Sequence, residues 1–428
     1  MKLYKRKLQQ KIKPWLDKPD IIVILGARQV GKTTLLTLLK KEIKENWGHS
    51  KNIQTFNLED TDQLYALNRD PKYFKEYCLL SGADPEKESI VLIDEIQYLD
   101  DPSHFLKYIA DFEPSIKLII TGSTSIHIKK FKDSVIGRKK LFTLFPLDFQ
   151  EFLLFKDKNK QLLTLDKLKL KNFDLKKIEV DPERIEPIKR EIGVLFEEYI
   201  LYGGYPKVVL AGARDEKLEE LKELYGAYEL KDINILFNIA NIAAFRNLFK
   251  VLASSVGSLL NINELSGTIG IGRDTVRRYL SVLENSFIIN TLQPFHSNIR
   301  KELTRMPKLF FQDTGLRNFA LRNFSEINFR PDKGALFENA IFCELFKNLG
   351  VIDQLYFWRT ISKSEVDFVL FGERKRAFEV KSSSASHIKV HKGLKAFKKI
   401  YSDFEQIVVT FDRFSRHDDI TYVPGWMI

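Results

Sequence analysis

The sequence predicts an α/β protein that begins with a parallel sheet covered by helices. Short apolar runs alternate with helical patterns between residues 21 and 150, and this alternation is typical of a parallel sheet with helices on both faces. A glycine-rich segment directly follows the first apolar run. With 44% hydrophobic and 29% charged residues, the 428-residue chain is too apolar for general disorder.

Each apolar run of this first region has the length of a buried strand. The runs cover residues 21–25, 53–58, 90–93 and 117–121, and helical patterns between them cover 32–44 and 103–112. We therefore expect a first domain over residues 1–155.

Changes of pattern predict three further domains. Residues 156–235 begin with a Lys- and Leu-rich insertion and continue as a helical lid, which is interrupted by YGGYP. Residues 236–305 contain a short helix, a glycine-rich turn at 267–272, a second helix at 273–284 and a strand at 287–292. That order is typical of a winged helix-turn-helix. Residues 306–428 return to a mixed α/β pattern.

Composition and charge indicate the cellular location of the protein and the kind of partner it binds. Basic residues (68) exceed acidic residues (57) by 11, and basic patches attract polyanions such as nucleic acid, unless they are only solvated surfaces. No apolar run approaches the about 18 residues of a membrane helix. The two cysteines cannot build a disulfide framework. We expect a cytoplasmic protein without a membrane partner.

The glycine-rich segment GARQVGKT fits the pattern G-x-x-x-x-G-K-[ST]. Glycines let backbone N–H groups converge on phosphates at the start of a helix. In this pattern Lys32 reaches the β- and γ-phosphates, and the Thr33 hydroxyl binds Mg²⁺. The predicted nucleotide-binding residues are Gly26, Ala27, Arg28, Gln29, Val30, Gly31, Lys32, Thr33 and Thr34.

Polar residues that follow two later strands complete the predicted site. Asp94 and Glu95 follow the apolar run at 90–93, so Asp94 is a candidate Mg²⁺ ligand and Glu95 a candidate for polarising the attacking water. Ser123, with Thr121 as the second choice, follows the next run and would lie between the γ-phosphate and that water.

These motifs together resemble the AAA+ P-loop ATPases, in a bacterial and archaeal branch with GxRQVGKTT loops. The resemblance covers about residues 1–235 and rests on GARQVGKTTLL, IVLIDEIQYL, ITGSTS, IGRKK before LFPLDFQEF, and YGGYP. It implies ATP and Mg²⁺ as ligands, and no Asn-Lys-x-Asp motif for guanine is present.

The same resemblance implies roles for two further residues. Arg138 looks like an arginine finger that acts on the γ-phosphate of a neighbouring subunit, which implies a homo-oligomer; the alternative is a surface arginine in a basic run. In related switch-type ATPases a Gly-x-Pro element contacts adenine, so Pro206 is a further candidate.

The carboxyl-terminal region contains two segments that read as a hairpin, SEVDFVLF and RAFEVK. Glu379 and Lys381 share one strand face because side chains alternate along a strand. A three-residue loop at 372–374 would place Asp367 opposite Glu379, whereas a two- or four-residue loop would separate their faces.

Asp367, Glu379 and Lys381, with Glu338 on the preceding helix, resemble the PD-(D/E)xK nuclease fold. The region also resembles an uncharacterised domain that is commonly fused behind these ATPases. A nuclease would hold a second Mg²⁺ or a Mn²⁺ between the carboxylates. The alternative is a fold that is kept without cleavage activity.

The second helix of the predicted winged helix carries Arg273, Arg277 and Arg278. Arg273 and Arg277 lie on one helix face, where they could contact DNA; a protein-docking winged helix is the alternative. Arg300, Lys301 and Arg305 would extend the basic surface, and His387 and His391 read as solvated residues.

The sequence thus predicts a Mg²⁺-dependent, oligomeric AAA+ ATPase coupled to DNA binding or processing. A metal-dependent nuclease gated by ATP and a non-catalytic, ATP-controlled protein-interaction switch are the alternatives. A metabolic kinase is disfavoured because the chain has no recognisable acceptor pocket and has several accessory domains.

Overall fold

The computed structural model describes residues 2–48, 50–123, 137–168, 182–228, 241–295, 306–382 and 392–428. The chain divides into two compact units. The first comprises residues 1–145 and 285–287, and the second comprises 146–284 and 288–428. Among the described residues, no helix is both long and apolar enough to cross a bilayer.

The first unit is built on a five-stranded parallel sheet with the strand order β2-β3-β4-β1-β5. Its strands are β1 (Ile21–Leu25), β2 (Asn52–Asn57), β3 (Ser89–Asp94), β4 (Ile116–Gly122) and β5 (Lys139–Thr143). Its helices are α1 (Lys7–Ile12), α2 (Lys32–Trp47), α3 (Thr61–Leu67), α4 (Phe74–Leu80) and α5 (Pro102–Phe112). The predicted α/β class is confirmed.

The apolar runs form strands because both faces of the sheet are buried. All five residues of β1 and all six of β3 are buried. One face packs on a core that includes Val23, Val91 and Ile120, with Phe74 and Phe105 in edge-to-face contact. The polar residues at the carboxyl ends of the strands interrupt this apolar layer, and they form the edge described below.

The second unit begins with helices. They are α6 (Phe149–Phe155), α7 (Asn159–Leu168), α8 (Pro182–Tyr202), α9 (Pro206–Leu210) and α10 (Arg214–Ala227), followed by α11 (Ile242–Ser254), α12 (Ile262–Ile269) and α13 (Arg273–Asn285). Helix α12 runs into the turn predicted at 267–272 and ends at Ile269. The next residue, Gly270, has a φ of +75°, the left-handed conformation that glycine favours after a helix.

An antiparallel pair, β6 (Ile289–Leu292) and β7 (Lys308–Phe311), follows α13. The helices and strands thus occur in the predicted order, and a winged helix remains a prediction, as do the four domain boundaries. Arg300, Lys301, Arg305, His387 and His391 lie outside the described residues.

The remainder of the second unit is a six-stranded mixed sheet with the order β12-β13-β11-β10-β9-β8. The strands are β8 (Gln354–Arg359), β9 (Glu365–Phe371), β10 (Arg376–Val380), β11 (Glu405–Thr410), β12 (Ser415–His417) and β13 (Ile420–Pro424). Helices α14 (Thr314–Ala320) and α15 (Lys333–Lys347) precede the sheet, and α16 (Lys392–Ile400) packs on β9 and β10.

Candidate functional site

The order β3-β4-β1 brings the carboxyl ends of three neighbouring parallel strands to one edge of the first sheet. Gly26 follows β1, Glu95 follows β3, and Ser123 follows β4. Ligand sites in open α/β sheets are generally found at such an edge. The polar residues predicted after three separate runs of sequence therefore meet in one place.

The loop between β1 and α2 has the backbone that a phosphate loop requires. A Cβ atom on Gly26 would lie 2.2 Å from the carbonyl oxygen of Leu144, so only glycine fits there. Gly31 has a φ of +95° and precedes the first turn of α2. The amino end of α2 follows directly, and its backbone N–H groups favour an anion.

Thr33 and Asp94 meet although 61 positions separate them in the chain. Thr33 Oγ1 lies 2.5 Å from Asp94 Oδ2, so one cation can contact both oxygens. Thr121 Oγ1 donates a hydrogen bond to Asp94 Oδ1 and accepts one from the Glu95 N–H at 3.1 Å. Thr121, the second choice for the position beside the attacking water, therefore orients Asp94.

Lys32, Ser123 and Glu95 form a buried polar triangle beside this pair. Lys32 Nζ lies 2.7 Å from Ser123 Oγ and 3.5 Å from Glu95 Oε1. Ser123 Oγ lies 2.8 Å from Glu95 Oε2. Glu95 has a φ of +59°, a strained value for a residue other than glycine, and such strain is concentrated at functional sites.

Electrostatic effects in the triangle favour an ionised Glu95. Burial lowers the pKa of Lys32 more than the carboxylates of Glu95 and Asp94 raise it. Burial raises the pKa of Glu95, but the Lys32 ammonium and hydrogen bonds from Gln97 and Ser123 outweigh burial, so this pKa lies below its usual value. Glu95 is therefore a carboxylate at neutral pH and can accept a proton.

Sequence reasoning missed two residues that contact this site. Gln97 donates a hydrogen bond to Glu95, and its Oε1 accepts one from the Ser123 N–H at 3.3 Å. Its position two residues after Glu95 was the available signal. Arg6 donates to the Val30 carbonyl at 2.7 Å, and no local pattern indicated this contact.

Three family models match successive parts of the chain. Residues 18–153 match a family described as AAA domain, residues 194–327 match Domain of unknown function (DUF8612), and residues 333–426 match Domain of unknown function (DUF4143).

The match of residues 18–153 to a family described as AAA domain, together with the geometry of the loop between β1 and α2, supports a nucleotide-dependent ATPase.

Curated relatives align with nearly the whole chain. An uncharacterized protein of Methanocaldococcus jannaschii is 26% identical over 90% of this chain and 79% of its own length. An uncharacterized protein of Haemophilus influenzae is 27% identical over 85% of this chain and 82% of its own length. Both alignments therefore extend over most of this chain and most of the relative.

Solved structures show only a slight overall likeness. Caenorhabditis elegans PCH-2 is 12% identical, with a TM-score of 0.32 over 51% of this chain and 64% of that chain. AMPPCP-bound DnaA from Aquifex aeolicus is 18% identical, with a TM-score of 0.26 over 65% and 86%. Scores this low transfer no function.

Arg138 lies at the opposite edge of the first sheet from the phosphate loop. It directly precedes β5, whose first residue pairs with Ile21 at the start of β1. The loop begins after Leu25, so the length of β1, about 16 Å, separates the two edges. Arg138 forms an ion pair with Asp111, and its side chain is 58% exposed. Its predicted role as an arginine finger stays a prediction.

The YGGYP segment has a packing role within the second unit. A Cβ atom on Gly203 would lie 2.2 Å from Asp313 Oδ1, and one on Gly315 would lie 2.0 Å from the Tyr202 carbonyl. The Gly204 N–H donates to Asp313 Oδ2 at 2.7 Å. These contacts explain the glycines, and an adenine contact by Pro206 at the start of α9 stays a prediction.

The carboxyl-terminal hairpin has the register that places Asp367 opposite Glu379. Arg376 pairs with Leu370 and Phe378 pairs with Phe368, which corresponds to a three-residue loop at 372–374. The Val380 N–H donates to Asp367 Oδ2 at 2.7 Å.

The predicted residues Glu338, Asp367, Glu379 and Lys381 interact electrostatically in one cluster. A residue that sequence reasoning missed, Lys308 of β7, lies in the same cluster. Burial lowers the pKa of Lys308, but the negative charges of Glu338, Asp367 and Glu365 together raise it by more. The pKa of Lys308 therefore lies above its usual value. Burial and Asp367 raise the pKa of Glu338 more than Lys308 lowers it.

Helix α13 presents its predicted arginines at the surface. Arg273, Arg277 and Arg278 are exposed, and Arg277 Nη1 lies 2.8 Å from Asp274 Oδ1. Ion pairs between exposed side chains contribute little stability, so this one can exchange for a phosphate contact.

Proposed function

We propose that this protein hydrolyses ATP with Mg²⁺ in its AAA domain. The observation that carries the proposal is the distance of 2.5 Å between Thr33 Oγ1 and Asp94 Oδ2. Two oxygen ligands beside a phosphate loop suit Mg²⁺, which usually keeps several waters and takes few protein ligands. The residues therefore fit the ion.

The chain's own groups supply the rest of the chemistry. Bound Mg²⁺ would neutralise charge on the β- and γ-phosphates. Lys32 is the first residue of α2, directly after the loop, and would contact the same phosphates. Glu95 would accept a proton from water as the water oxygen attacks the γ-phosphorus, and the bond from that phosphorus to the bridging oxygen breaks, leaving ADP and phosphate. Ser123 forms a hydrogen bond to the Glu95 carboxylate, and this contact supports a role for Ser123 in positioning the attacking water.

Mg²⁺-dependent ATP turnover of Glu95→Gln tests this proposal. Glutamine keeps the shape but cannot accept the proton, so we expect kcat to fall about 100-fold or more while ATP binding persists. Lys32→Ala should weaken ATP binding. Lys41→Ala is the matched control, because Lys41 lies on the same helix with a side chain that is 71% exposed. If Glu95→Gln hydrolysed ATP as fast as the wild type, Glu95 would not be the proton acceptor and the proposed hydrolysis at this site would be wrong.

We further propose that the ATPase is a homo-oligomer and is coupled to DNA through α13. The exposed arginines on one face of that helix support DNA contact. ATP turnover should rise on addition of DNA, and the rise should be lost in Arg273→Ala/Arg277→Ala. ATP turnover that DNA does not change would contradict coupling to DNA and favour the protein-docking alternative.

A further inference from the structure

Lys308 is a buried lysine that joins strand β7 to the acidic cluster of the carboxyl-terminal sheet. It is 3% exposed. Its Nζ lies 2.6 Å from Glu365 Oε1 on β9 and 3.1 Å from Glu338 Oε1 on α15. A buried ammonium is tolerated only when carboxylates compensate its charge. Lys308 and these two acids therefore form one electrostatic unit.

Other groups of the chain also contact the carboxylates of this cluster. Lys381 Nζ lies 2.8 Å from Glu379 Oε1, and Arg359 Nη1 lies 3.3 Å from Glu365 Oε2. The Val380 N–H donates to Asp367. Four carboxylates are thus matched by three cationic side chains and one backbone donor.

This arrangement does not fit the divalent metal that the nuclease-like fold implies. A metal would be held by oxygens of Glu338, Asp367 and Glu379. The Lys308 ammonium lies 3.1 Å from Glu338 Oε1 and the Lys381 ammonium lies 2.8 Å from Glu379 Oε1, so both ammonium groups would repel a metal cation there. Within the described ranges, no three acidic, histidine or cysteine side chains are arranged to hold a metal ion.

We propose that Lys308 is the resident cation of this carboxylate cluster, which joins β7 to α15 and β9 and holds no divalent metal. The carboxyl-terminal domain then has no metal ion at this cluster with which to cleave a phosphodiester bond.

Mn²⁺ titration of the full chain without nucleotide tests the proposal. Wild type and Asp367→Asn should bind the same number of Mn²⁺ ions, because the cluster holds none in either protein. Any ion at the phosphate loop is counted in both. Lys308→Met should gain one site, with Mn²⁺ affinity at the cluster at least about tenfold above that of the wild type. Lys308→Met/Asp367→Asn should lose this gain.

Lys217→Met is the matched control, since Lys217 is also buried and lies 2.6 Å from Glu198 Oε1 elsewhere in the second unit. It should gain no Mn²⁺ site. One more ion in the wild type than in Asp367→Asn would overturn the proposal, as would plasmid nicking in Mn²⁺ that Asp367→Asn abolishes. If Lys308→Met or Asp367→Asn does not fold, the number of Mn²⁺ ions bound by the wild type is compared with the number bound by Glu338→Gln. One more ion in the wild type would again overturn the proposal.

Discussion

Arg6 and Val30 are joined by a hydrogen bond of 2.7 Å from the Arg6 guanidinium to the carbonyl of Val30 in the phosphate loop. The second guanidinium nitrogen donates to the Phe145 carbonyl at 2.8 Å. Arg6 is 5% exposed. Arg6, which precedes β1, therefore links the phosphate loop at Val30 to Phe145 within the first unit.

Arg6→Ala should raise KM for ATP about tenfold and change kcat less. The substitution removes two charge-assisted hydrogen bonds, each worth about 1.5–3 kcal/mol, and part of that energy keeps the loop in its binding shape. Arg6→Lys retains one donor and should recover part of the affinity. Steady-state ATP kinetics and nucleotide titration measure both effects.

Lys5→Ala serves as the control for Arg6, because Lys5 is the exposed neighbour in the same segment. It should leave KM unchanged. An Arg6→Ala protein with normal KM and lowered thermal stability would mean that Arg6 only supports the fold.

Arg138→Ala should abolish ATP turnover and spare ATP binding, provided that the arginine acts on a neighbouring subunit. The position of Arg138 at the far edge of the sheet excludes action on its own phosphate loop. Mixing Arg138→Ala with Glu95→Gln in equal amounts should restore turnover to about a quarter of the wild type, because each variant supplies the group that the other lacks.

Asp111→Ala is the control for Arg138, since it removes the ion-pair partner and leaves the arginine. Its turnover should persist. Mixed subunits that remain inactive would show that Arg138 supports the structure of the first unit and does not act in trans.

Gly315→Ala should destabilise the second unit by about 3 kcal/mol, because the added Cβ would lie 2.0 Å from the Tyr202 carbonyl and the backbone would have to move. Gly226→Ala is the control: Gly226 also lies in a helix, and its Cβ would meet nothing within 4 Å. That change should be neutral or stabilise by up to about 1 kcal/mol. Urea unfolding followed by circular dichroism measures both, and equal stability would refute the packing role of the YGGYP segment.

The sequence predicted the Thr33 and Asp94 contact because the carboxyl ends of neighbouring parallel strands lie at one edge. It did not predict β5, whose residues are half-buried or exposed and carry no continuous apolar pattern. The sequence also did not decide the register of the carboxyl-terminal hairpin, because loops of two, three or four residues were all compatible with it. A third segment contributes to it, since Asp353 Oδ1 accepts the Glu373 N–H at 3.1 Å and leaves no room for a Cβ on Gly372.

Sequence by itself determined the residues of the candidate nucleotide site, because the loop, its helix and the acids after the strands are local patterns joined by a general rule of parallel sheets. Tertiary structure alone decided that Arg6 contacts the loop and that Lys308 enters the acidic cluster. The sequence around each of these cations is basic and does not indicate a partner, because the partner is set by how distant parts of the chain pack. Burial then makes the pairing strong, because a charge removed from water must be compensated by the nearest opposite group.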